Sequence, residues 1–400
     1  MYDDSDQIMK KAFILFLLII SGVVISGIRW SLLPVGTARH HHQIQQNRYY
    51  DYQGIIHFHT RFSGDATGTF EEIARKAAEQ EIDFLISTDH NTLKPLDEGK
   101  EGWHGKTLVL VGEELTLQEG YLLAFGHSRL ERQIGVKTDE VIDSVKRQGG
   151  MLFIAHPDHP RWKWVKDDRG ISGEEILDFA DQWFGSSVLT VMESLLAYPF
   201  NWKASFLNMY QRPDLTLSHW DEKNRTEKLT GISAPDFHQA VWITRSYKIP
   251  FPSAEKVLAL ARNHVLVENP LSGDLSHDKA MIYDALRKGR LFISMDVLGN
   301  GAGFNFTALQ AGQEGWMGDV LSGGHKTDFS VAVPPFPGEG TPRIILYRNG
   351  IPLKSMPGFQ MTYSDTEPGV YRIEVEVDIP LYTGGKRKVI WIYSNPVFLR

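Results

Sequence analysis

The sequence contains no cysteine among its 400 residues. This absence excludes disulfides, thiolate-bound zinc, iron–sulfur clusters and a cysteine nucleophile, so any metal ion must be held by His, Asp and Glu. Basic residues are not in excess either, since 42 Lys and Arg stand against 49 Asp and Glu. We therefore expect no nucleic-acid partner.

Two common catalytic motifs are also missing from the sequence, the G-x-S-x-G elbow of serine hydrolases and the H-E-x-x-H motif of zinc proteases. What remains is a chain with 42% hydrophobic and 23% charged residues, which is typical of a folded protein. Its length is sufficient for one large domain or two ordinary ones.

An uncharged apolar run covers residues 12–28, with Lys10 and Lys11 before it and Arg29 and Trp30 after it. We expect residues 1–30 to form a cytoplasmic stub and a transmembrane signal anchor, with the catalytic part on the extracytoplasmic side. The alternative is a cleaved secretion signal, which would make the protein secreted. Residues 31–53, with the histidine run at 40–42, have the composition of a linker.

Residues 54–298 alternate short apolar runs with helical patterns, which predicts β-α units and a parallel sheet or barrel. Helices are expected to begin at Thr69 and Ser172, because Glu72 and Glu175 follow three residues later. Residues 299–400 are rich in Gly and Pro turns and predict a β-sandwich-like domain. The predicted strands are 54–59, 83–88, 107–111, 121–125, 151–155, 188–192 and 229–233.

Metal-binding side chains stand at or just after the ends of these strands. His57 and His59 are two apart on the first strand, so both imidazoles point to the same side. Since the ends of parallel strands meet at one rim, the other candidates are expected beside them. The candidate ligands are His57, His59, Asp65, His90, Glu114, His156, Asp236 and His238.

A set of imidazoles and carboxylates without sulfur suits Zn, Mn or Fe. Eight ligands exceed what one ion can use, so we expect two or three divalent metal ions per chain. Such a centre lowers the pKa of a bound water and neutralises charge on a phosphoryl or acyl oxygen, which favours hydrolysis.

The segments HFHTRFSGD, STDHNT, GEELT, GGMLFIAHP and GISAPDFH resemble the successive motifs of the PHP (polymerase and histidinol phosphatase) superfamily, over residues 54–295. The later segments KAMIYDALRKGRLFIS, LYRNG and WIYSNPVF resemble the CehA/McbA-type metallohydrolases. The superfamily resemblance implies an α/β fold with a distorted (β/α)7 barrel and a trinuclear centre that hydrolyses phosphoesters. The narrower resemblance adds carbamate and carboxylic esters.

The resemblance distributes the eight ligands over three ions, and catalytic roles are assigned to Glu114, Asp236 and His238. The first ion is held by His57, His59, Glu114 and Asp236; the second by Glu114 and His156; and the third by Asp65, His90 and His238. A further histidine, in a G-H-L-L context, is expected for the second ion, but Tyr121 occupies its place. Either Tyr121 or His127 replaces it, or the centre works with two ions.

Several neighbouring residues are weaker candidates. Asp89 is expected to orient a ligand histidine, and Glu193 is either a ligand or a carboxylate at the barrel rim. His159, Arg161 and Lys163 either meet an anionic group of the substrate or form a solvated basic loop. Trp162 and Trp164 either wall a pocket or anchor that loop.

The sequence thus predicts a membrane-anchored, metal-dependent phosphoesterase acting on a small anionic ester. A carbamate or carboxylic ester hydrolase with the same centre is the second hypothesis. A surface module that binds metal or ligand without turnover is the third.

Overall fold

The structure is a computed structural model that describes residues 4–35, 45–46, 48–129, 137–166, 170–244, 247–381 and 384–400. The histidine run at 40–42, interpreted as linker, lies outside the described residues.

Helices and strands alternate through the first three quarters of the chain, and strands alone follow. The first part contains α1 (Asp4–Ser31), β1 (Gln45–Gln46), β2 (Tyr49–Ile56), α2 (Phe70–Glu79), β3 (Phe84–His90), α3 (Lys94–Asp97), β4 (Gly102–His104), β5 (Thr107–Leu117), β6 (Gly120–Phe125), α4 (Thr138–Arg147) and β7 (Met151–Ala155). The middle contains β8 (Gly173–Asp178), α5 (Phe179–Gly185), α6 (Val188–Ala197), α7 (Trp202–Met209), α8 (Asp214–Asn224), β9 (Thr230–Ala234), β10 (Val241–Thr244), β11 (Tyr247–Ile249), α9 (Ala254–Val257), β12 (Arg262–Val267), α10 (Leu275–Lys288) and β13 (Leu291–Ser294). The last part contains β14 (Asn305–Gln310), β15 (Gln313–Trp316), β16 (Val320–Leu321), β17 (Thr327–Ala332), β18 (Arg343–Arg348), β19 (Ile351–Pro357), β20 (Gln360–Asp365), β21 (Gly369–Pro380), β22 (Lys386–Ser394) and β23 (Val397–Leu399).

Seven strands are joined by pairing into a circuit, in the order β2, β3, β5, β6, β7, β8 and β9. The pairs are parallel except those of β6, which runs against β5 and β7. A parallel bridge between Phe58 and Phe237 brings the last strand back to the first. The carboxyl ends of six strands therefore meet at one end of the circuit, together with the start of β6.

Six of the predicted strands overlap β2, β3, β5, β6, β7 and β9. β2 runs from Tyr49 to Ile56, so His57 and His59, which are expected on this strand, lie just after its end. The predicted helix that begins at Thr69 is also confirmed. The Thr69 hydroxyl accepts a hydrogen bond from the Glu72 N–H at 3.2 Å, and α2 buries Phe70, Ile73 and Ala77.

Two predicted elements between β7 and β9 are wrong. The predicted helix at Ser172 is strand β8, and the predicted strand at 188–192 is helix α6. β8 is buried along its length between two parallel neighbours, and this tertiary pairing overrides its helix-favouring glutamates. α6 begins where Ser187 accepts the Thr190 N–H, so capping and packing on α7 override the β-branched run.

The C-terminal region consists of strands, as predicted, and they form two layers. β14, β15, β17 and β20 form a four-stranded sheet, and Phe329 of this sheet stacks on Tyr371 of β21 at 4.4 Å. β21 belongs to the same sheet as the strand circuit. It pairs with β22, β22 pairs with β13, β13 pairs with β12, and β12 pairs with β2. The second layer is thus continuous in hydrogen bonding with the strand circuit.

A buried ion pair also connects α8 to the C-terminal strands. The Arg372 guanidinium donates two hydrogen bonds to Asp221, at 2.6 and 2.7 Å, and a third to Glu374 at 2.6 Å. Both Arg372 and Asp221 are almost fully buried. The pair holds two parts of the chain far apart in sequence.

Helix α1 includes one stretch, Phe13–Ser31, that is long and apolar enough to cross a membrane by length and composition. Its last turn contacts the rest of the protein. The Asn201 amide donates to the carbonyls of Trp30 at 2.9 Å and Leu33 at 3.1 Å, and Trp30 packs against Ala197 and Ala204. Gly27 lies so close to the Phe200 ring that a Cβ atom there would stand 2.5 Å from it.

The buried pair gives the first testable prediction. Asp221→Ala should lower the free energy of unfolding by about 3 kcal/mol, because Arg372 would stay buried with one partner removed. Chemical denaturation of the detergent-solubilised chain measures this loss. Asp214→Ala on the same helix is the control, since the Asp214 side chain is 74% exposed. Equal losses in the two variants would contradict the prediction.

Candidate metal centre

The first pair of candidate ligands lies directly after β2. His57 and His59 are fully buried, and their Nε2 atoms stand 3.1 Å apart. His57 has a φ of +70°, in the left-handed region that side chains avoid. His156 and Asp236 also have positive φ, at 52° and 41°. Three candidate ligands thus stand on strained backbone at strand ends, which is a common feature of functional sites.

Glu114, near the end of β5, is the centre of the cluster. Its Oε2 lies 3.5 Å from His57 Nε2, 3.3 Å from His59 Nε2 and 2.9 Å from His90 Nδ1. Its Oε1 lies 3.3 Å from His156 Nε2. One carboxylate therefore faces four imidazoles, as a bridging ligand would.

Asp236, after β9, faces the first histidine pair from the other side. Its Oδ1 lies 3.3 Å from His57 Nε2 and 3.1 Å from His59 Nε2. Ligand atoms of His57, His59, Glu114 and Asp236 all lie within 4.8 Å of one another, which is close enough to hold one metal ion. These are the four residues expected around the first ion.

The expected third group lies at the cavity edge. Asp65 Oδ2 stands 3.2 Å from His90 Nε2 and 3.4 Å from His238 Nε2. His238 stacks on His59 with ring centroids 4.0 Å apart, and His59, His90 and His238 also form a group that could hold an ion. The structure thus brings all eight predicted ligands together, and their roles as ligands stay a prediction.

Three acidic residues that the sequence reasoning missed complete the surroundings. His57 Nδ1 lies 2.5 Å from Glu175, and His156 Nδ1 lies 3.3 Å from Asp178 and 3.2 Å from Asp181. Glu175 and Asp178 lie on β8, which the sequence predicts as a helix, and Asp181 lies on α5 directly after it. β8 ends in Asp178, and β3 and β5 also have acidic residues near their ends. This shared pattern is the sequence signal that could have identified Asp178.

The weaker candidates Asp89, Glu193 and His127 have three different surroundings in the structure. Asp89 contacts His59, a candidate ligand, through Ser63, because the Ser63 hydroxyl donates to Asp89 at 2.8 Å and stands 3.0 Å from His59 Nδ1. Glu193 lies on α6 rather than at a strand end, so its assignment to the barrel rim is wrong. His127 Nε2 lies 2.8 Å from Glu113, and both are buried together.

Tyr121 lies at the start of β6, with its ring centroid 6.1 Å from that of His156 and 5.9 Å from that of Trp162. Trp162 stacks on His159 at 3.9 Å and lines the cavity, whereas Arg161 and Lys163 are exposed.

The carboxylate oxygens and imidazole nitrogens of the cluster are better placed to bind divalent cations than to form hydrogen bonds with one another. Among the described residues, Glu114 Oε1 and Oε2 and Asp236 Oδ1 are buried without a hydrogen bond. Imidazole nitrogens stand between 2.9 and 3.5 Å from them, but the angles suit no hydrogen bond. Buried carboxylates in this condition are costly unless a cation is shared between them and the imidazoles.

Charges in the cluster shift the pKa values of its members strongly. Burial lowers the pKa of His57, but the carboxylates of Glu175, Glu114 and Asp236 outweigh burial and raise it well above its ordinary value. In the same way the carboxylates of Asp65 and Glu114 raise the pKa of His90 to about 10. The pKa values of His156 and His238 are also raised against burial, by carboxylates including Asp178 and Asp236. Without a cation, protons on these imidazoles balance the carboxylates.

A cavity of about 480 Å³ opens onto the cluster. Asp65, His90, Glu114, His156, Asp236 and His238 form its polar floor, and aromatic side chains form much of its wall.

No protein family model matches the chain. An uncharacterized protein of Methanocaldococcus jannaschii is 28% identical over 139 residues, which is 31% of this chain and 80% of that protein. A two-domain protein from Bacteroides vulgatus, described as containing a predicted PHP-like metal-dependent phosphoesterase, is 14% identical with a TM-score of 0.42, over 88% of this chain and 99% of that one. The chain resembles PHP-like proteins.

Two further solved structures are similar over about half of the chain. A putative metal-dependent phosphoesterase from Bifidobacterium adolescentis is 16% identical with a TM-score of 0.30, over 46% of this chain and 87% of that one. An amidohydrolase from Chromobacterium violaceum, with bound sulfate and no metal, is 15% identical with a TM-score of 0.29, over 50% of this chain and 92% of that one.

Glu175 gives a prediction about metal affinity. Glu175→Gln should weaken binding of Zn²⁺ or Mn²⁺ by about 10- to 100-fold. The Glu175 carboxylate orients the His57 ring and accepts a hydrogen bond from the backbone N–H of His156 at 2.9 Å. Competition with a chromophoric chelator measures the affinity. Glu174→Gln is the matched control, since Glu174 pairs with His219 instead. Equal weakening in both would show a general effect on folding.

The raised histidine pKa values give a prediction about pH. Below these pKa values the imidazoles hold protons that a cation must displace, so apparent metal affinity should rise with pH through neutrality, toward the pKa of about 10 of His90. Calorimetric titrations in buffers of different ionisation enthalpy count the protons released. Binding without proton release around pH 7 would contradict the prediction.

Proposed function

We propose that the protein is a membrane-anchored, metal-dependent phosphoesterase with a distorted (β/α)7 barrel of the PHP type. The observation that carries the proposal is the position of Glu114, whose carboxylate faces His57, His59, His90 and His156 on the floor of an open cavity. Converging ligands next to a substrate-sized cavity are typical of multinuclear hydrolytic centres.

Three ligand groups support two or three divalent ions. His57, His59, Glu114 and Asp236 would hold the first, and Glu114 with His156 the second. Asp65, His90 and His238 would hold the third, nearest the open side of the cavity. When bound, Zn, Mn or Fe ions supply a water of lowered pKa and positive charge for the phosphoryl oxygens.

Charge supports a phosphoester as the substrate. The cavity lining contains no Lys or Arg among the described residues, so the cations would be its main positive charge. Their charge would be matched by the anionic phosphoryl group and by the negative charge that develops on the leaving oxygen as its bond to phosphorus breaks. In a centre of two ions, where His238 binds no metal, His238 at the cavity edge, 3.4 Å from Asp65, would hold a proton for the leaving oxygen.

A carbamate or carboxylic ester is the second candidate substrate class. The apolar cavity wall, which includes Trp162, Phe179 and Trp183, suits a neutral acyl group as well as an apolar leaving group.

The N-terminal helix supports membrane anchoring over secretion. A cleaved signal has no reason to pack on the mature protein, whereas Trp30 packs on Ala197 and its carbonyl accepts from Asn201. Lys10 and Lys11 favour the cytoplasm for the N-terminal end by the positive-inside rule, which supports an extracytoplasmic position for the cavity.

Metal analysis and turnover together test the proposal. The purified full chain should contain two or three metal ions and release p-nitrophenol from phosphate monoester or diester substrates. A chelator should abolish this turnover, and added Mn²⁺ or Zn²⁺ should restore it. His57→Ala should lower turnover by at least about 100-fold, since losing a ligand has a larger effect than losing its partner. His277→Ala is the control, because His277 is exposed on α10.

Each other outcome selects a different function. Cleavage of p-nitrophenyl acetate alone, with the same metal content, would identify a carboxylic ester hydrolase. Weakly held metal with no turnover of either substrate would identify a binding module without catalysis.

A further inference from the structure

A patch of large apolar side chains is exposed on α5 and α6. It consists of Phe184, Val188, Leu189, Met192, Leu195 and Leu196, each between 44% and 78% exposed. The only charged residue of α6 is Glu193. Contiguous apolar side chains on a helix are costly in water, so this patch needs a partner. We call these six residues the α6 patch.

Helix α1 places the α6 patch at a membrane surface. The apolar stretch Phe13–Ser31 has 19 residues, which corresponds to about 28 Å and fills the apolar thickness of a bilayer. Trp30, at the end of this stretch, packs on Ala197 at the end of α6. Tryptophan favours the membrane interface, so α6 lies beside α1 at interface depth.

The α6 patch is also continuous with the candidate active site. Phe184 belongs both to the patch and to the cavity wall, and it contacts Trp162 with ring centroids 5.6 Å apart. Phe179, Trp183 and Phe206 extend this wall toward the metal centre. The cavity thus has a polar floor and an apolar side that opens next to the patch.

We propose that the α6 patch inserts into the bilayer that α1 spans, and that the site takes a phosphoester with a long apolar tail from that bilayer. This inference rests on the proposed function for the phosphoester and adds the substrate class. The phosphoryl group would meet the cations that Glu114 and Asp236 would hold. The tail lies along Phe179, Trp183 and Phe184 toward the membrane, so the substrate is a lipid-like amphiphile.

Substrates that differ only in their tails test the substrate class. The full chain in phosphatidylcholine nanodiscs is given methyl and hexadecyl p-nitrophenyl phosphate, and in parallel methyl and hexadecyl phosphate. If the protein cleaves the diesters or the monoesters, kcat/KM should be at least about tenfold higher for the hexadecyl ester than for the matching methyl ester. Burial of two or three methylene groups is enough to give this difference.

Cysteine labelling tests the position of the α6 patch without any activity. Because the chain has no cysteine, Leu189→Cys gives a single site for a bimane label. In vesicles of palmitoyl-oleoyl phosphatidylcholine, doxyl-labelled lipid should quench this label strongly. Ile351→Cys is the control, because Ile351 is 70% exposed, close to the 67% of Leu189, but lies on β19. The Ile351→Cys label should remain unquenched.

The outcomes separate this inference from the proposed function. Equal kcat/KM for methyl and hexadecyl esters would overturn the lipid substrate and leave the phosphoesterase. No turnover of any ester by metal-loaded protein would overturn the proposed function and the lipid substrate with it. Absence of quenching at Leu189→Cys would overturn membrane insertion of the patch, whatever the activity.

Discussion

The fold depends on the burial of carboxylates among imidazoles at one end of the strand circuit. Glu114 is fully buried, yet none of the described residues forms a hydrogen bond with either of its oxygens. In low dielectric such a charge is stable only beside compensating positive charge. The surrounding histidines supply it as protons, and cations would supply it more directly. Each strand end must therefore deliver its ligand to the same small volume.

The strand circuit explains how ligands from six separate segments meet in that volume. Parallel strands place their carboxyl ends together, and the Phe58–Phe237 bridge makes the first and last strands neighbours. Positive φ at His57, His156 and Asp236 then turns each side chain inward where its strand ends. This strain is a local cost of about 1–3 kcal/mol per residue that the packed strands below must offset.

The sequence predicts which side chains meet at this site because the candidate ligands stand in short motifs at or just after strand ends. H-x-H after β2 and D-x-H after β9 are local patterns of three residues, but positive φ at His57 and Asp236 means that the chain there is not extended as the two-residue period assumes. The β8–α6 region could not be predicted in the same way. Gly173–Asp178 becomes a strand through its parallel neighbours, and its glutamates find partners, His219 and His57, that are far away in sequence. Glu175, Asp178 and Asp181 were missed for this reason.

The segment between β8 and β9 contacts both the candidate metal centre and the apolar helix α1. One crossover helix suffices to join two parallel strands, but here α5, α6, α7 and α8 stand between them. The additional helices hold Phe179 and Phe184 over the metal centre and hold Ala197 against Trp30. Since the same short helices contact both α1 and the cavity, packing within this segment would set the distance from a bilayer spanned by α1 to cations bound at the candidate centre. A substrate drawn from the bilayer would then reach the cations without leaving an apolar surface.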